Sequence, residues 1–188
     1  MRTIATSLPG VVLVECDVHL DVRGFFLESY QAAKYAAAGI AEAFVQDNHS
    51  KSLHGALRGL HLQIDPPQAK LVRVIEGEIF DIAVDVRRGS PTFARWAAAT
   101  LSADNFRQCY LPAGFAHGFV VRSEVAQVEY KCTTFYNPAG EIGIAWDDPA
   151  LAIDWGVDRP LLSVRDQRNP RLADVMDQLP VYASTLVR

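Results

Sequence analysis

Cysteine is scarce here: Cys16, Cys109 and Cys132 are odd in number, widely spaced and form no CxxC pair. That excludes a disulfide framework or a cysteine-rich zinc site and reads as buried thiols in a reducing cytoplasm. Blocks of lysine or arginine are also absent, and the 188-residue chain carries a formal net charge of -4. This argues against non-specific nucleic-acid binding but leaves room for a local basic pocket for a phosphate. Long apolar runs are missing as well. Met1 to Val14 is only mildly apolar and is broken at Pro9-Gly10, so neither a signal peptide nor a membrane helix is read there. No linker, low-complexity tract, internal repeat or glycine-rich dinucleotide loop stands out.

Apolar residues are plentiful, at 49%, enough for a sizeable core. One domain over 1–188 is predicted, with a core at about 10–170 and a C-terminal helical extension at about 169–188. Short strand-like segments separated by turn signals fill the middle: Leu71 to Ile75, Glu78 to Val86, Thr92 to Leu101, Gln108 to Leu111, Gly118 to Val121 and Val125 to Thr134. In the second, Phe80, Ile82, Val84 and Val86 share one face while Asp81, Ala83 and Asp85 share the other. Helix signals are few: the alanine-rich Gln31 to Ala38, stopping at Gly39, and Arg171 to Gln178 behind Asn169-Pro170. The fold class is therefore mostly β, an antiparallel β-sandwich or jelly-roll barrel with short peripheral helices.

Among five histidines, His61 in Arg58-Gly59-Leu60-His61-Leu62-Gln63 stands out, with Lys70 following in Gln68-Ala69-Lys70-Leu71-Val72. An imidazole can remove a proton near neutral pH, and an ammonium can steady the oxyanion left behind. A histidine ahead of Pro66-Pro67 can equally be structural. Tyr130 shares a face with Val128 and Cys132, so it is either core or a proton donor. Asp166 is either a solvated turn residue or the carboxylate that orients the imidazole. Strand alternation raises a difficulty: Arg58 and His61 have opposite parity, so a regular strand would aim them at opposite faces. A bulge or bend at Gly59 would resolve it. Arg73 is likewise out of phase with Lys70.

Gly55 through Gln63, with Gly77 downstream, and Pro112-Ala113-Gly114-Phe115-Ala116-His117 resemble the turn patches of metal-binding cupin barrels. Here Gln63 stands at the second histidine position, and an amide oxygen is a poor ligand for borderline metals. His61 and His117 lack an obvious third protein ligand, so no catalytic metal is predicted.

A wider resemblance covers about residues 10 to 170. It is carried in order by Asp21-Val22-Arg23-Gly24-Phe25-Phe26-Leu27-Glu28, Phe44 to Ser50, Leu57 to Gln63, Gln68 to Val72, Ser90 to Phe93, Leu111 to Phe119, Tyr130 to Thr133 and Leu162 to Asp166. Together these resemble the dTDP-4-dehydrorhamnose 3,5-epimerases, a cupin-fold family. The resemblance implies cofactor-independent epimerisation of a dTDP-sugar, with His61 as general base, Asp166 as its partner, Tyr130 as acid and Lys70 at the enolate oxygen. It further implies that Arg23, Phe25, Glu28, Gln46, Asn48, Arg58 and His117 hold the substrate. Tyr136 would stack on the thymine, Glu141 and Arg165 would complete the rim, and a second subunit would supply some of these groups. Leu62, Cys132 and Arg165 depart from the family's usual aromatic, threonine and lysine. Those departures leave open a relative that inverts C3 or C5 alone or isomerises the ketone.

Overall fold

A computed structural model describes residues 1–183. Strands are numbered along the chain. The larger sheet is antiparallel, in the order β1 (Arg2–Ala5), β2 (Val12–Glu15), β10 (Arg107–Leu111), β7 (Lys70–Glu76), β12 (Val125–Cys132), β5 (Gln46–Leu53). The second sheet, also antiparallel, runs β13 (Glu141–Gly143), β6 (Leu57–Gln63), β11 (Phe115–Val121), β8 (Glu78–Asp85), β9 (Trp96–Ser102). A hairpin of β3 (Val18–Asp21) and β4 (Gly24–Leu27) stands apart from both. Two such sheets face to face make the antiparallel, mostly β architecture, and the interior between them has an apolar half and an open half.

In the apolar half, Val72 and Val74 of β7 and Ala126 and Val128 of β12 meet Ile79 and Ala83 of β8 and Phe119 of β11. The apolar stripe of β8, Phe80, Ile82 and Val84, faces the other way. It packs under the C-terminal segment against Leu151, Trp155, Leu172 and Val175. Both faces of this strand are thus buried, and its aspartate face looks into the sandwich. On the outer face of the larger sheet, α1 (Ala32–Ala37) lays Tyr35 against Val14, Leu71 and Tyr110. Gln31 caps α1 by accepting the Lys34 amide, and Gly39 follows with φ +92°.

The predicted strand at Thr92 to Leu101 begins only at Trp96. Before it, Ser90 and Thr92 turn their hydroxyls onto the Asp85 carboxylate at 2.5 and 2.7 Å, which holds a tight turn instead of an extended run. The C-terminal helix signal is realised as a 3-10 helix at Leu172–Gln178, where Leu172 and Val175, three residues apart, meet the core. Of the predicted extension, 184–188 lie outside the described residues. No helix among the described residues is long and apolar enough to cross a membrane.

Candidate active site

The open half of the sandwich is a cavity of about 640 Å³ between the two sheets. Its walls follow from strand parity. On β5 the residues Gln46, Asn48, Ser50 and Ser52 line it, with Leu53 at the strand's end, while Asp47, His49 and Lys51 are exposed on the far side. On β7 and β12, Lys70 and Tyr130 face inward beside Val72 and Val128. The opposite wall is β6 with His61 and β11 with His117 and Phe119.

Arg58 and His61 both line the cavity in spite of their parity. The pairing of β6 with β11 joins His61 to His117 and Arg58 to Phe119, three steps on one strand against two on the other. The extra residue in β6 is a bulge, and it reverses the alternation between the two side chains. Gly59 sits there at φ +122°, and a Cβ at this position would lie 2.6 Å from the Gly118 Cα and 2.7 Å from the His117 carbonyl oxygen. Only glycine meets both demands. Arg58 then extends along the mouth, where its Nε donates to Ser52 Oγ at 2.9 Å.

His61 Nε2 lies 2.6 Å from Asp166 Oδ1. Burial alone would push the Asp166 carboxyl up; the hydrogen bond from His61, with those from Ser163 and Asn169, outweighs it and holds the group below its ordinary range. An ionised carboxylate accepts the Nε2 proton, which leaves the lone pair of the imidazole on its other nitrogen. From the facing sheet, burial raises the Tyr130 phenol, helped by the nearby Glu141 carboxylate, so it stays protonated. Beside it, the Lys70 ammonium sits 5.8 Å from the Tyr130 ring centroid, and burial pulls its pKa below the usual lysine value. A desolvated cation in that position is ready for an oxyanion.

At the rim, the Tyr136 hydroxyl and an Arg165 guanidinium nitrogen meet Glu141 Oε2 at 2.9 and 2.5 Å, and the Tyr136 amide donates to Gln46 Oε1 at 2.9 Å. His117 is held deeper, its Nε2 2.6 Å from Asp81 Oδ1. The Gln63 side chain is taken up by hydrogen bonds to a loop. Its amide nitrogen donates to the Pro66 and Phe135 carbonyls, and its oxygen accepts the Asn137 amide, which fixes the loop below Tyr136. Among the described residues, no group of three or more His, Cys, Asp or Glu side chains is placed to hold a metal.

The family model for dTDP-4-dehydrorhamnose 3,5-epimerase matches residues 5–174. The chain belongs to this family. It is an epimerase, an isomerase by reaction type. The dTDP-4-dehydrorhamnose 3,5-epimerase of Pseudomonas aeruginosa is 54% identical to it over 176 residues, 93% of this chain and 97% of that protein. The dTDP-4-dehydrorhamnose 3-epimerase of Streptomyces niveus is 39% identical over 188 residues, 98% of this chain and 91% of that protein. Among solved structures, the dTDP-6-deoxy-D-glucose-3,5-epimerase of Legionella pneumophila, in complex with dTDP-4-keto-L-rhamnose, superposes with a TM-score of 0.94 at 46% identity. That match covers 97% of this chain and 99% of the other. The fold of the epimerase is accordingly cupin-like.

The cavity gathers His61, Lys70, Tyr130 and Asp166 with Gln46, Asn48, Arg58, His117, Tyr136, Glu141 and Arg165. Arg23, Phe25 and Glu28 stand elsewhere, on and just beyond the β3–β4 hairpin. Arg23 pairs with Asp21, Glu28 with Lys34, and Phe25 packs edge-on against Phe106 with centroids 4.8 Å apart. None of the three lines this chain's own cavity. Sequence reasoning missed Asp81 and Ser163, the partners of His117 and Asp166, and the cavity-facing Ser50 and Ser52. The last two share the parity of Gln46 and Asn48, a signal that was there to read.

Proposed function

We propose that this epimerase inverts both C3 and C5 of dTDP-4-dehydro-6-deoxy-D-glucose, giving dTDP-4-dehydro-L-rhamnose by enolisation without a cofactor. One observation carries this reading: an imidazole backed by a carboxylate and a protonated phenol enter one cavity from opposing sheets. The C4 ketone acidifies the hydrogens on C3 and C5. The free nitrogen of His61 takes the proton from one carbon, the C–H electron pair becomes the enolate C=C bond, and the carbonyl π pair moves onto the C4 oxygen, where the Lys70 ammonium steadies it. Tyr130 then donates its proton from the opposite ring face, the enolate returns to the ketone, and that centre is inverted. Solvent resets the imidazolium and the phenolate before the second carbon reacts.

In the same reading, Arg58 grips the diphosphate, Tyr136 stacks on the thymine, and Gln46, Asn48, His117, Glu141 and Arg165 hold the remaining polar groups. Arg23, Phe25 and Glu28 complete the cavity of a second copy, which makes the working unit a homodimer of single-domain chains. The three free cysteines suit a cytoplasmic setting.

The test is incubation with dTDP-4-dehydro-6-deoxyglucose in deuterated water, with NMR readout of C3 and C5. Deuterium at both carbons supports the proposal. The 39% relative named as a 3-epimerase favours a second reading, inversion of C3 alone, which label at C3 alone would establish. Label at neither carbon, or undiminished labelling by His61→Ala, would overturn the assignment of the base.

A further inference from the structure

A buried carboxylate steers His61 only if something stops it from turning away. Asp166 is 5% exposed, so water does little to hold it. Its Oδ1 accepts from His61 at 2.6 Å and, more weakly, from Asn169 Nδ2 at 3.4 Å. Its Oδ2 accepts from the Ser163 hydroxyl at 2.9 Å, and the same Ser163 Oγ accepts the Asp166 backbone N–H at 3.0 Å. One hydroxyl therefore fixes both the main chain of Asp166 and the far oxygen of its carboxylate.

The segment carrying Ser163 is tied to the strand carrying His61. The Leu161 amide donates to Gly55 O at 2.8 Å, and the Leu57 amide donates to Leu161 O at 3.0 Å. On the other side, Gly143 is the register partner of His61, and a Cβ there would meet Asn169 Oδ1 at 2.1 Å. The carboxylate is thus set between two side chains whose places are decided by the strands flanking the imidazole.

We infer that Ser163 is a positioning residue of the epimerisation: its hydroxyl locks the Asp166 carboxylate plane so that Oδ1 stays on His61 Nε2. The inference rests on the reading of His61 as the base. Without the hydroxyl, Oδ2 is a buried acceptor with no donor, and the carboxylate must either protonate more readily or rotate. Either outcome loosens the tautomer lock on the imidazole.

The experiment compares wild type, Ser163→Ala, Ser163→Thr and His61→Ala by steady-state kinetics on dTDP-4-dehydro-6-deoxyglucose from about pH 5 to 9, alongside thermal melts. Ser163→Ala is expected to lose about tenfold in kcat with KM within about twofold, as suits a lost hydrogen bond to a charged group. Its acid limb moves to lower pH, because protonation of the base is less favoured once its carboxylate partner is loosened. Ser163→Thr keeps the hydroxyl and restores both. Unchanged kcat and acid limb in Ser163→Ala would overturn the inference; so would a loss of kcat that tracks melting temperature with no shift of the limb. His61→Ala separates the two levels. If it retains activity, the base assignment has failed; if it is inactive while Ser163→Ala is normal, only the positioning role has.

Discussion

Gly59→Ala should damage both the fold and the active site, because the bulge in β6 exists to bring Arg58 and His61 to one side. At φ +122° an alanine is forced into backbone space that L-residues rarely occupy, at a cost of about 1–3 kcal/mol. Its methyl would lie 2.6 Å from a neighbouring Cα and 2.7 Å from a carbonyl oxygen, both main-chain atoms of β11 that cannot swing aside. Overpacking of that kind adds about 1–3 kcal/mol. The sum, about 2–6 kcal/mol, is a large part of the roughly 5–15 kcal/mol that keeps a domain folded. For a chain of this size it lowers the melting temperature by roughly 4–24 °C, at about 2–4 °C per kcal/mol. If β6 relaxes by losing its bulge, Arg58 turns out of the cavity and kcat/KM falls by about a hundredfold through misplacement alone. Gly55→Ala is the control. Its φ of +74° is also positive, but no atom lies within 4 Å of the added Cβ, so only about 1 kcal/mol is expected. Circular-dichroism melts and deuterium uptake from solvent measure both consequences. A Gly59→Ala protein that melts within about 2 °C of wild type, or no lower than Gly55→Ala, would refute the steric argument.

Tyr130→Phe keeps the ring in the core and removes the proposed acid; turnover should fall about a hundredfold or more while the melting temperature holds, and wild-type turnover would make the tyrosine a core residue. Lys70→Ala should cost about a hundredfold in kcat. Since burial lowers the Lys70 pKa, its charge disappears as pH rises through a value below that of ordinary lysine, so activity should decline there; Lys70→Arg should carry that alkaline limb upward, and an unmoved limb in the arginine variant would assign the oxyanion role elsewhere. Burial pushes the Asp85 carboxyl up, but Arg87, Ser90 and Thr92 outweigh it and bring the group down to about 2 from the ordinary 3.8, worth about 2 kcal/mol of stability. That contribution is complete above about pH 4 and disappears as pH falls toward 2, so Asp85→Asn should lose about 2 kcal/mol in urea unfolding at neutral pH and almost none near pH 2; an equal deficit at both would show that the ion pair is not its source.

Legibility varied with what each strand faces. β8 and β12 were readable because their apolar residues recur at period two and pack on a core. β5 was not readable: its inward face is Gln46, Asn48, Ser50 and Ser52, polar because it lines a cavity and not a core. The strand from Thr92 was set too early, because the serine and threonine hydroxyls bond to a carboxylate several residues back instead of continuing the ladder. For the site, His61 and Lys70 were visible as chemistry at a strand end. Asp166 stayed an open choice between turn residue and histidine partner until the family resemblance, because its own surroundings read as a turn.

Composition and period alone determined a mostly β chain with a core, without a cysteine framework and with an imidazole, an amine and a phenol carried on strands. Tertiary structure decided which of those positions meet. A period of two tells which side chains share a face, but not which face is covered, which strand lies opposite, or where one extra residue reverses the count. Those are settled by pairing across long stretches of chain: β6 against β11, which resolves the clash between Arg58 and His61, and the return of residues 161–166 to β6, which turns a turn aspartate into the buried partner of a histidine.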